Sequence, residues 1–232
     1  ISTAIVGETW TAFRWLIAPA NWRAVANTLN GVAEAEPLRT WALVLLLGLL
    51  IGSRSWLRRV IENQSAKTLK VRTDHFGRTI FALATAVASA LAPALIFLVL
   101  GWHLQAHGGD EEFVFAVGIG LERLAYIVWG FYLLAVLLRD HGVGAVQFGW
   151  PAAARRSLFR NLCWLMPVVL SAWFCIWVAE AQDNEQIRAS LGRMAFIVVM
   201  VALSVFLLRV LRPSGALLTA LAERTQSSLV VR

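Results

Sequence analysis

The sequence predicts an all-α fold: a polytopic membrane helical bundle of about five transmembrane helices, preceded by an N-terminal interfacial helix. Three observations lead there. The 232 residues are 59% hydrophobic and only 15% charged, where soluble domains run at about 45–50% apolar and about 25% charged. Mean hydropathy is +0.66. Apolar runs such as LVLLLGLLIG (residues 43–52) do not alternate, which excludes the alternating strands of a membrane β-barrel. The remaining apolar runs approach the roughly 20 residues needed to cross a bilayer as a helix.

Five segments qualify in chain order. The first is 38–57, whose uncharged part lies between Arg39 and Arg54; those arginines extend it by snorkelling. The second, 79–102, is the clearest. The third lies within 113–138 and is interrupted by Glu122 and Arg123. The fourth is 161–179, with Pro167 inside, and the fifth is 194–208, extended N-terminally by Leu191. The domain division that follows is 1–37 as a periplasmic or interfacial segment, 38–211 as the transmembrane domain, and 212–232 as a cytoplasmic-side tail leading to downstream regions.

Loop charge sets the expected orientation. Net charge is +7. Residues 54–78 carry Arg54, Arg58, Arg59, Lys67, Lys70, Arg72 and Arg78. Residues 139–160 carry Arg139, Arg155, Arg156 and Arg160, and the tail carries Arg209, Arg212, Arg224 and Arg232. The connection between the second and third spans reads GGDEE, with no basic residue. The positive-inside rule places the basic connections in the cytoplasm and the N-terminus outside, which requires an odd number of spans. Charge distributed in this way points to a cytoplasmic leaflet and not to nucleic acid. Trp41, Trp56, Trp102, Trp164 and Trp177 fall near span ends, where amphipathic rings concentrate. The N-terminal stretch, with Trp10, Phe13, Trp15, Leu16, Ile17 and Trp22, is too short and polar to span. It reads either as a helix on the outer leaflet, broken near Pro19, or as an ordinary packed helix.

Chemistry-bearing clusters are sparse. Cys163 and Cys175 are twelve positions apart, about 18 Å along a helix, and cannot bond to each other. His103 and His107 share a helical face as metal ligands do, but Gly108-Gly109 follows at once and no third ligand has matching spacing; the expectation is interfacial histidines and no metal. No nucleophile elbow, P-loop or HExxH motif occurs, so neither a catalytic set nor a cofactor is expected. Gly118-Ile119-Gly120 lacks the context of a dinucleotide fingerprint. Glu122 and Arg123 are the costly feature, since a mid-bilayer charge costs about 2.5–3.5 kcal/mol on insertion scales. One reading is an ion pathway or a buried pair between helices. The other puts both near the outer interface, with the span starting at about Leu121. Sequence neighbours project about 100° apart, so the two do not pair with each other.

The stretch RDHGVGAVQFGWP (residues 139–151) lies between two apolar segments yet contains Phe148, Trp150, three glycines and a terminal proline. Together with Arg155 and Arg156 it reads as a turn contacting lipid, the aromatics in the inner headgroup layer and the arginines on anionic lipid. Packing of Phe148 and Trp150 against neighbouring helices is the competing reading. This stretch resembles the Gly-Leu-x-x-x-x-His-Phe-x-Trp-Pro segment in the N-terminal inner-membrane domain of the large MscK/MscM-type mechanosensitive channels, of the small-conductance mechanosensitive channel family. Gln147 stands here for the histidine. The stretch KVRTDHFGRT (residues 70–79) is similar to that family's basic-Asp-x-Phe-x-x-Thr entry into a membrane helix. The resemblance runs from about Asn21 to the C-terminus. It implies a peripheral tension-sensing or scaffold domain in the bacterial inner membrane, with membrane lipids as partners. It also implies a homo-oligomer, typically a heptamer, and ions passing through a pore outside this chain. The alternatives are a fragment of a transporter or membrane enzyme, with Glu122, Arg123, His103 and His107 lining a cavity, and a membrane anchor for a periplasmic domain.

Overall fold

The computed structural model describes residues 3–38, 40–49, 51–52, 75–109, 111–140, 142–146, 149–182 and 185–212. Every regular element among them is a helix: α1 (Thr3–Leu16), α2 (Pro19–Ala35), α3 (Thr40–Leu49), α4 (His75–His107), α5 (Glu112–Leu137), α6 (Val143–Val146), α7 (Ala152–Glu180) and α8 (Glu185–Val210). Four stretches are long and apolar enough to cross a membrane: Leu83–His107, Glu112–Leu137, Ala152–Glu180 and Arg188–Val210. These are the second to fifth expected spans. The first expected span, 38–57, is represented by the shorter apolar α3; residues 39, 50 and 53–57 lie outside the described residues.

The helices outrun the apolar segments. α7 begins at Ala152 and so takes in Arg155, Arg156 and Arg160. Pro93 and Pro167 lie inside α4 and α7 without ending them, as membrane helices tolerate where neighbours re-satisfy the freed carbonyls. Pro19 opens α2 at its first turn, where the missing N–H costs nothing. The expected break near Pro19 is therefore a turn at Ile17–Ala18 between two helices.

The chain divides into two compact units. The first comprises residues 1–51, 93–128 and 168–200. Its core joins Ala12 and Leu16 of α1 and Val25 of α2 to Leu104, Phe113, Val114, Ala116, Val117, Val178, Ala179 and Leu191. The second comprises residues 52–92, 129–167 and 201–232. There Ala86 of α4 packs with Val136 of α5, flanked by Leu133 and Leu137.

Alanine recurs among the buried residues (Ala86, Ala90, Ala116, Ala125, Ala172, Ala179, Ala202), whereas Phe196, Ile197, Val201 and Leu208 of α8 are exposed. Lipid tails are as apolar as leucine, so helices gain little by hiding large apolar side chains from them. Close backbone approach through small residues is what favours association. α5 is the most buried of these four long helices, half of its most apolar stretch, and α8 the least, at 22%.

Candidate functional site

In the second unit the connection from α5 to α7 is built around Arg155. Its Nη1 donates to the carbonyls of Leu138 at 3.3 Å and Arg139 at 2.7 Å, and its Nε donates to the carbonyl of Trp150 at 3.1 Å. A carboxylate oxygen of Asp140 lies 3.2 Å from the same Nη1. The planar guanidinium suits this task, because its fork reaches several acceptors at once. The glycines are required by close approach. A Cβ at Gly142 would sit 2.5 Å from the Val136 carbonyl oxygen, and one at Gly144 would sit 2.7 Å from the Leu137 oxygen and 3.1 Å from the Trp150 ring. Gly149 reverses the chain at φ +60°. Trp150 then folds back, its N–H donating to the Gly144 carbonyl at 2.9 Å. The Pro151 carbonyl accepts the first bond of α7, from the Arg155 N–H at 3.1 Å. Further along, the Arg209 guanidinium of α8 lies over the Trp164 ring of α7, 5.2 Å from its centroid.

In the first unit α4 and α5 approach through glycine. A Cβ at Gly101 would lie 2.6 Å from the Glu122 backbone nitrogen and 2.7 Å from the Gly118 oxygen; one at Gly118 would lie 2.9 Å from the Gly101 oxygen. Gly120 faces α7, where a Cβ would meet Val178 at 2.9 Å. One turn beyond each glycine comes a polar side chain, Gln105 on α4 and Glu122 on α5. Gln105 Nε2 donates to Glu122 Oε2 at 2.6 Å. Arg123, on the adjacent face of α5, meets Glu180 at the end of α7 at 3.3 Å, both side chains half exposed. The glycine approach brings α4 and α5 near enough for the Gln–Glu bond to form. The Arg123–Glu180 ion pair matches charge where both side chains are half exposed. The rings of His103 and His107 lie 4.6 Å apart, and the His107 Nδ1 is 3.0 Å from the His103 carbonyl oxygen. Among the described residues no group of three or more His, Cys, Asp or Glu side chains is gathered as a metal site would need. Cys163 and Cys175 are both free.

Comparison with known proteins fits this arrangement of membrane helices. Residues 37–232 match the family described as mechanosensitive ion channel inner membrane domain 1. The chain belongs to that family. A curated relative is the miniconductance mechanosensitive channel MscM of Escherichia coli (strain K12), 26% identical over 184 residues. The aligned part is 78% of this chain and 16% of that protein, so the chain spans only a small part of its relative's length. No solved structure matches. The family is one of ion channels and not of enzymes, and the four long apolar helices among the described residues make the chain a multi-pass inner-membrane protein.

Within this inner membrane domain, the residues singled out in the sequence fall in two places. Arg155 departs from expectation. Expected on anionic lipid, it is 6% exposed and directed inward onto carbonyls, because three main-chain oxygens and Asp140 converge on it. Trp150 stays 42% exposed while one side of its ring covers Gly144. Arg156 is exposed and donates to the Ala152 carbonyl. Phe148 lies outside the described residues, as does the 70–74 part of the second motif. Glu122 and Arg123 are brought not to each other but to Gln105 and Glu180. Sequence reasoning missed Gly101 and Gly118; the available signal was the pair of Gly-x-x-x-polar spacings, Gly101 to Gln105 and Gly118 to Glu122, on adjacent spans.

Proposed function

We propose that this inner membrane domain supplies the peripheral, tension-sensing and scaffolding helices of a mechanosensitive channel that opens under membrane tension for osmotic protection. The observation that carries the reading is the placement of large apolar side chains on the outside of a multi-pass helical domain of this family. Such a surface responds to tension only if two states of the channel expose it to lipid differently, since a ligand or solvent biases an equilibrium by differential interaction alone. The pore lies outside this chain, ions pass there, and the assembly is a homo-oligomer, with seven copies implied by the resemblance. The N-terminus is periplasmic and the C-terminus cytoplasmic. Arg156 and Arg160 near the start of α7, Arg209 in the last turn of α8 and Arg212 just after it favour this orientation, set against Glu111 and Glu112 at the start of α5. Lipid contact at the α5–α7 connection belongs to Trp150 and Arg156, with Arg155 holding the turn that presents them, and to Phe148 on the sequence pattern alone. The test is patch recording of the full-length channel carrying Trp150→Ser with Arg156→Ser. A shifted opening tension at unchanged conductance is the expected outcome; an unchanged tension threshold refutes the coupling.

A further inference from the structure

The family match starts at residue 37, yet α1 and α2 belong to the first unit's core, and their geometry assigns them a task of their own. α1 turns one face inward, where Ala12 and Leu16 are 2% and 6% exposed. That face rests on residues at the ends of the long helices: Leu104 near the end of α4, Phe113 and Val114 at the start of α5, Val178 and Ala179 at the end of α7. α1 therefore docks at the rim of the bundle, where the spans leave the bilayer. Its elbow with α2 is fixed. Asn21 Nδ2 donates to the Trp15 carbonyl and Trp22 Nε1 to the Leu16 carbonyl, both at 2.8 Å, which satisfies carbonyls at the end of α1. Both Trp15 and Trp22 meet Phe113 edge-on, with ring centroids 5.2 and 5.7 Å apart.

Among the described residues, a second apolar stripe, along α1 and into the turn after it, has no cover. Trp10, Phe13 and Ile17 are 64%, 41% and 52% exposed. They recur at i, i+3 and i+7, the spacing of one helical face, and Trp10 and Phe13 stack at 6.2 Å. This stripe adjoins the docked face, and the polar Thr11 and Arg14 lie on its other side, both exposed. The exposed surface thus divides into an apolar sector, suited to an apolar medium, and a polar sector, suited to water. A helix lying at the rim of a membrane bundle meets one such medium there, the headgroup–acyl boundary, where Trp and Phe partition best. Trp102 of α4, 64% exposed, and the stacked Trp173–Trp177 pair of α7 belong to the same unit, and supply the aromatic content of an interfacial belt.

We infer that α1 is a lipid-seated outrigger: its Trp10–Phe13–Ile17 stripe lies in the bilayer interface at the α4–α5 end of the bundle, and its elbow is clamped to α5 through Phe113. The occupant of the stripe is phospholipid. The inference does not depend on which leaflet faces the cytoplasm or on the channel reading, because it is tested by depth and not by gating.

The experiment places single spin labels at Phe13→Cys, Ile17→Cys and Thr11→Cys, with Cys163 and Cys175 replaced by serine and alanine, in the full-length protein in phosphatidylglycerol/phosphatidylethanolamine vesicles. Collisional relaxation is read with oxygen and with a water-soluble nickel chelate. Labels at 13 and 17 should favour oxygen over the chelate several-fold, and the label at 11 the reverse. Adding Phe113→Ala should make the labels at 13 and 17 more mobile while they still favour oxygen. Equal chelate access at all three positions would mean that α1 stands in water. Protection of 13 and 17 from both reagents would mean that protein covers the stripe. Either result overturns the proposal.

Discussion

Replacing Arg155 by methionine tests whether the α5–α7 connection is held by one buried guanidinium. Methionine keeps the apolar stem but removes every donor. Three carbonyl partners are lost. The bond to Leu138 is buried and long, 3.3 Å, and those to Arg139 and Trp150 are part-buried at 2.7 and 3.1 Å. A buried acceptor stranded without a donor costs about 1–3 kcal/mol, and a hydrogen bond that water can replace contributes about 0.5–1.5 kcal/mol. With the long Leu138 bond taken at the low end, the sum is about 2–4 kcal/mol, or roughly 30- to 1,000-fold in a local opening equilibrium at about 1.36 kcal/mol per tenfold. The Asp140 carboxylate adds little, since its side chain is 74% exposed and exposed pairs contribute about 0–1 kcal/mol. The assay is amide hydrogen exchange in nanodiscs. It is read at the Trp150 N–H, bonded to Gly144, and the Ala145 N–H, bonded to Gly142. Arg155→Met should accelerate both by that factor, and Asp140→Asn by less than about tenfold. Arg155→Lys should recover only part of the protection, because one ammonium cannot reach every carbonyl the fork does. If Asp140→Asn matches Arg155→Met, or if Arg155→Met leaves exchange unchanged, the lock is misassigned.

Three further outcomes are expected. Gly118→Val places a side chain against the Gly101 carbonyl and the Gln105 backbone nitrogen, 2.9 and 3.0 Å from its Cβ; it should lower the yield of folded protein in size-exclusion chromatography, whereas Gly130→Ala, with nothing within 4 Å, should behave as the parent. Gln105→Leu should weaken α4–α5 association by about 0.6–1.7 kcal/mol, the range for hydrogen bonds between membrane helices, and Glu122→Gln, which retains an acceptor oxygen, by less; a double-mutant cycle on detergent-induced unfolding measures the coupling, and a null coupling energy rejects the pair. A cysteine at position 67 should resist an impermeant maleimide added to intact cells, and labelling from outside would reverse the proposed orientation.

The long helices were legible because bilayer thickness acts on composition alone. A run near twenty apolar residues reads as a span whatever it packs against, and α4, α5, α7 and α8 each contain such a run. Helix ends were less legible. α7 continues nine residues upstream of its expected start at 161, to Ala152, because hydropathy detects where lipid begins and not where backbone hydrogen bonding begins. The turn at Pro19 was readable from proline chemistry. The partners of the singled-out residues were not legible at all. Loop charge counts arginines without aiming them, so Arg155 and Arg156 looked alike; one is buried on three carbonyls and the other is exposed.

Sequence by itself determined that this chain is a helical membrane protein, where its basic connections lie, and that Glu122 and Arg123 interrupt a span, either as part of a pair between helices or at the outer interface. These are properties of single segments meeting a solvent, and each segment meets it independently. Only the tertiary structure decided that Glu122 goes to Gln105 and Arg123 to Glu180, that Gly101 and Gly118 set the approach of α4 to α5, and that α1 leaves one apolar stripe uncovered beside a docked one. Those are relations between residues far apart in the chain. They depend on how two helices are rotated about their axes, and no local pattern encodes that rotation; the side chains that meet when the helices pack select it.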